Sequence, residues 1–113
     1  MTDRELLEAA AKAAGIELTD FHGLLVIPDP KAGCPPWNPL EDDGDALRLA
    51  VRHRFHVDIF SATNAEGIEV FPGFVEIWRG DCDPIHTEYV VGSNYEAATR
   101  RAIVRAAAAM GAA

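Results

Sequence analysis

The stretch FHVDIFSATNAEGIEVFPGFVEIWRGDCDPIHTEYVV, residues 55 to 91, decides the fold. It breaks into the short β-rich runs FHVDIFS, IEVF, FVEIWR and IHTEYVV. Between them stand ATNAEG, PG and GDCDP, all with the residues that favour turns. The pattern predicts an antiparallel meander of three or four strands. In a strand, successive side chains point to opposite faces. One alternate set, Phe55, Val57, Ile59, Ile68, Val70, Val75 and Ile77, is wholly apolar and is expected to face the core. The other set, His56, Asp58, Phe60, Glu69, Phe71, Phe74, Glu76 and Trp78, mixes aromatic rings with charge, and is neither plainly wet nor plainly dry.

Helical patterns flank this region. In TDRELLEAAAKAAG, residues 2 to 15, Thr2 and Glu5 have capping-box spacing. Leu6, Leu7, Ala10, Ala11 and Ala14 share one side, and Gly15 supplies a left-handed stop. Leu24 to Ile27 predict one short strand, closed by Pro28 and Pro30. Five prolines between 28 and 41 make a stiff, extended connection. A second helix is expected from Asp43 to about His53, with Ala46, Leu47, Leu49, Ala50 and Val51 on its apolar arc and Asp45, Arg48 and Arg52 opposite. Its leading acids need no ligand to explain them, because a carboxylate caps free amides and is stabilised by the positive end of the helix dipole. Trp37 is read first as an anchor for the proline loop. At the far end, Ser93 and Glu96 in SNYE predict the start of a long alanine-rich helix reaching Gly111. Its buried arc would hold Tyr95, Ala98, Ala102, Ile103, Ala106, Ala109 and Met110, leaving Arg100, Arg101, Val104 and Arg105 outside.

A chain of 113 residues, 49 % hydrophobic, has the size of one domain able to bury a core without staples. The expectation is a single α+β domain spanning 1 to 113, an antiparallel three- to four-stranded sheet layered with three helices as an α-β-α sandwich. A net charge of −8 repels phosphate backbones and anionic lipid, which argues against direct nucleic-acid binding. No apolar run approaches the ~20 residues of a membrane span, and acids stand where a secretory leader would be basic. Cytoplasmic residence is expected. Two cysteines, Cys34 and Cys82, are too sparse for a secreted disulfide scaffold, so reduced thiols are expected.

Three blocks, TDRELLEAAAKAAG at 2 to 15, WNPLEDDGDALRLAV at 37 to 51 and EAATRRAIVRAAAAMG at 96 to 111, together give the chain a family resemblance. It resembles small phage and prophage proteins with the phage ABA sandwich domain. The resemblance implies an α-β-α layered domain encoded by a phage and acting in the cytoplasm of a bacterial host, with no catalytic residue to carry over. It also implies that a helix caps the mixed sheet face in whole or in part.

Chemistry is sparse. Cys82 and His86 have C-x3-H spacing, and His53, His56, Cys34, Asp81 or Asp83 could complete a metal set, but there is no CxxC and no helical HxxxH. DDGD lacks the ligand ladder of a calcium loop. No nucleophile elbow or glycine-rich phosphate loop is present, and flanking acids make Cys82 a poor thiolate. No cofactor, no metal and no catalytic residue is therefore expected. The leading reading is a non-enzymatic accessory protein that binds a host or phage protein, with a counter-defence inhibitor as its narrower form. The alternatives are a small metal- or thiol-dependent enzyme and a structural virion component, and a second copy of the chain is a further candidate partner. The expected contact residues are Trp37, Phe60, Phe71, Phe74 and Trp78, with Arg100, Arg101, Val104 and Arg105 on the last helix, since aromatic and arginine side chains are enriched at interfaces. For the helix, the competing reading is a solvated face with one stray valine.

Overall fold

A computed structural model of the chain describes residues 1–28, 33–80 and 83–111, the side chains of 62 and of 69–72 excepted. The order of elements is α1 (Asp3–Ala14), β1 (Thr19–Phe21), β2 (Leu24–Val26), α2 (Asp43–His53), β3 (His56–Thr63), β4 (Glu69–Trp78), β5 (His86–Tyr89) and α3 (Tyr95–Gly111). The fold is α+β, an antiparallel sheet layered with three helices, as the sequence predicts. Strands β3, β4 and β5 form that sheet in order, with β4 in the middle, and β1 and β2 make a separate small hairpin.

The caps follow the local chemistry. Thr2 and Glu5 form the reciprocal capping box of α1, and Gly15 closes it at φ 71°. Asp42 caps α2 by accepting the Asp45 amide at 2.8 Å. At α3 the cap is Asn94, which accepts the Ala97 amide at 3.0 Å, and not Ser93. Asparagine serves as well as serine at this position, so the choice falls to the chain's approach.

Two strand assignments change. Pro72 and Gly73 form no turn: they lie inside the single strand β4. Irregular register opposite Phe60, Ala62 and Thr63 absorbs the proline, which cannot donate to a ladder. Gly73 is required there because a Cβ would lie 2.7 Å from the Phe60 carbonyl oxygen and would meet the Tyr95 ring. The second change is β1, which pairs with β2 across His22 and Gly23, both at positive φ, a hairpin where only one strand was expected.

The core is built around α3. Tyr95 reaches Gly73 on the sheet, and Ala98, Ala102 and Ala106, on that same side, are buried. A half-turn away, Arg101 pairs with Asp3 at 3.1 Å, and a Cβ on Gly111 would touch Ala13 at 3.0 Å. Helix α3 thus lies with the sheet on one side and α1 on the other, and α2 packs along its flank. Val75 and Ile77 of β4 are fully buried on the sheet face turned to α3, each contributing about 1.5–3 kcal/mol of apolar burial. Not all of the apolar alternate set is covered. From 59 to 68 every described residue except Asn64 is exposed, so Ile59 and Ile68 stand in solvent where the hairpin outruns the helices.

Candidate functional site

Register, not sequence proximity, assembles the main candidate surface. Phe60 is directly opposite Phe74, and Phe74 is directly opposite Tyr89. One aromatic row therefore crosses all three strands on the face turned away from α3. The Phe60 and Phe74 rings stack with centroids 4.7 Å apart and planes 16° apart, while Phe74 and Tyr89 meet at 6.3 Å and 55°. Both geometries are favourable for aromatic pairs. Tyr89 is 68 % exposed and Phe60 40 % exposed.

The next row carries charge. Asp58 and Glu76 are directly opposite one another, with Thr87 beside Glu76. Like charges in this position oppose strand pairing. The third row pairs exposed His56 with half-buried Trp78, whose indole Nε1 is buried without a hydrogen-bond partner. This face combines an open aromatic stripe with two carboxylates that repel each other.

The other predicted contact residues part company. Trp37 is 4 % exposed, so it is a core residue and presents no docking surface. Its amide donates to the Leu25 carbonyl at 2.9 Å, and the Ile27 amide to that of Pro35 at 3.0 Å, laying the proline segment alongside β2. Val104 is fully buried, which removes the apolar centre of the expected strip on α3. The correction has a simple cause: α3 has neighbours on both sides, and Val104 lies on its α1 side. The arginines are engaged as well. Arg100 donates to the Leu40 carbonyl at 2.9 Å and to Asp43 at 2.6 Å. Arg101 binds Asp3, and this hydrogen bond, with the positive charge behind it, holds the Asp3 carboxyl below its ordinary pKa. Arg105 bonds both oxygens of Glu88 at 2.7 and 2.8 Å. These contacts join α3 to its surroundings. The Phe71 side chain lies outside the described residues.

Of the metal and thiol candidates, Asp81 and Cys82 also lie outside the described residues. His86 is 2.7 Å from Glu88, which Arg105 already holds, and Cys34 is a free, exposed thiol. Among the described residues no three His, Cys, Asp or Glu side chains converge as metal ligands would. Among them, too, no helix is long and apolar enough to cross a membrane.

His53 ends α2 and is buried, stacked on Phe55 at 5.0 Å with its Nε2 unpartnered. Burial pushes its pKa below the ordinary 6.5, and the charges of Arg79 and Arg52 push the same way. The folded chain therefore takes up a proton on this imidazole less readily than the unfolded chain does. Stability is unaffected above pH 6.5 and is lost as the pH falls beneath it, by at most about 1.4 kcal/mol per pH unit for one proton. In urea titrations between about pH 7 and about pH 5, His53→Gln is expected to flatten this fall. A variant with the same pH dependence as the parent would show that the imidazole titrates freely.

Sequence reasoning missed Tyr89, which was read only as part of a strand. Its signal was available in the alternation of β5, but the register that aligns it with Phe74 was not. Compared with known protein families, with curated proteins and with solved structures, the chain matches none.

Proposed function

We propose that this chain is a non-enzymatic, phage-encoded accessory protein that binds a host or phage protein in the bacterial cytoplasm through the outer face of its sheet. The observation that carries the reading is the aromatic row Phe60–Phe74–Tyr89, open to solvent beside the opposed carboxylates Asp58 and Glu76. Aromatic side chains supply large contact area, and tyrosine, here the most exposed ring, is among the residues most enriched at binding hot spots. Two carboxylates held face to face are relieved when a cation comes between them. The partner surface therefore offers arginine or lysine next to apolar groups. The phage origin rests on the resemblance of the three helical blocks to phage ABA sandwich proteins.

The test is capture of partners from infected cells, with the parent chain and two variants side by side. Tyr89→Ala removes the most exposed ring of the row. Glu76→Lys turns the carboxylate pair into an ion pair, which holds or raises stability while reversing the charge a partner would read. Both are expected to lower recovery of the partner by about ten-fold or more with the fold intact. Recovery of nothing above background by a folded parent, or of the same protein equally well by both variants, would overturn the reading. In its narrower form the partner is a nuclease of a host defence system, obstructed by this surface; failure to protect phage in cells carrying such systems would remove that form.

A further inference from the structure

Helix α2 buries only part of its apolar side. Leu47 and Val51, one turn apart, are 64 % and 67 % exposed, and Ile59 of the neighbouring strand is 55 % exposed. Between Leu47 and Ile59 runs an apolar groove of about 370 Å³, floored by Val57 and Ile59 of β3 and walled by α2 and α3. Strand β3 is also the edge of the sheet, and among the described residues no backbone bridge reaches its outer side. Open edges with exposed apolar groups invite another strand, and the usual protections by proline or lysine are missing from HVDIFSAT.

We propose that β3 pairs antiparallel with β3 of a second copy about a two-fold axis at Val57, joining two three-stranded sheets into one. A two-fold contact must be self-complementary, and this register is. On the helix side it sets Val57 against Val57 and Phe55 against Ile59 of the second copy, while α2 of each copy brings Leu47 and Val51 over the grooves. On the outer side it sets His56 against Asp58 of the second copy, twice, and an imidazole N–H donates to a carboxylate in either protonation state. Other centres do worse. An axis at Asp58 puts two carboxylates face to face, one at His56 does the same with two imidazoles, and one at Ile59 leaves Asp58 facing Phe60. Axes further along meet the irregular register beyond Phe60. The contact shares Asp58 with the proposed partner face but uses neither Tyr89 nor Glu76, so substitutions at those two test partner binding without touching the dimer.

Sedimentation equilibrium of the full chain from about 5 to about 500 µM tests it. The expected mass at the upper end is twice the 12.2 kDa of the chain. Leu47→Lys and Ile59→Lys, both at exposed positions that leave the fold intact, are expected to raise the dissociation constant by about ten-fold or more. His56→Asp is expected to weaken the dimer, and the exchange His56→Asp with Asp58→His to restore it, which a merely structural role would not do. In a mixture of labelled and unlabelled chains, isotope-filtered contacts between the Phe55 ring and Ile59 methyls fix the register. A chain that stays at 12.2 kDa throughout overturns the proposal and leaves the edge for a strand of another protein. A dimer indifferent to both lysines, or one not restored by the exchange, also overturns it.

Discussion

Val104→Asp is expected to leave the chain without a cooperative unfolding transition at 25 °C. Val104 is fully buried on the side of α3 that faces α1, so a carboxylate there loses its hydration. The substitution loses about 1.5–3 kcal/mol of apolar burial. Desolvating the charge, or raising its pKa until it is neutral, adds several kcal/mol more. Together these match the 5–15 kcal/mol, roughly, that holds a domain of this size together. Val104→Ala, which removes two carbons and leaves a small cavity, is expected to cost only about 2 kcal/mol and to keep the transition. On a solvated helix face both changes would fall within about 0.5 kcal/mol of the parent. Urea unfolding followed by circular dichroism separates the two situations, and a Val104→Asp chain as stable as the parent would refute the central position of α3.

Trp37→Ala carries the next largest effect, a loss of about 3–5 kcal/mol. The indole is buried in the core cluster with Leu49, while its own amide donates to Leu25 of β2 and the Pro35 carbonyl before it accepts from Ile27. Removing the ring opens a cavity and frees the proline segment from the hairpin it covers. The readout is again the urea midpoint, with the expectation that partner capture, scored on the folded fraction, stays at the parent level. Lost capture with unchanged stability would return Trp37 to the surface role that the sequence suggested for it.

Both residues show where reading the chain in one dimension stops. In α3 the apolar and small residues Ala102, Ile103, Val104, Ala106 and Ala107 cover most of the circumference, and all are buried. An apolar arc wider than one neighbour can cover calls for a second neighbour. Assigning it a single buried arc pushed Val104 outward. The error came from counting one neighbour, the sheet, when α1 also had a face of Leu6, Leu7, Ala10, Ala11 and Ala14 that needed covering. The reverse occurred on α2, where Leu47 and Val51 fit the apolar arc and yet remain exposed, because the arc is wider than the surface α3 offers.

By itself the sequence determined what local chemistry controls: the capping box of Thr2 and Glu5, the Asp42 cap, three amphipathic or alanine-rich helices, and the alternation that makes residues 56 to 89 an antiparallel sheet. Such features depend on residues within a few positions of one another. The tertiary structure alone decided which alternate positions meet across strands, that Phe60, Phe74 and Tyr89 form one row, that α3 sits at the centre, and that the β3 edge is left open. Those outcomes rest on a competition among distant surfaces for the same buried area, and no single segment carries the result of that competition.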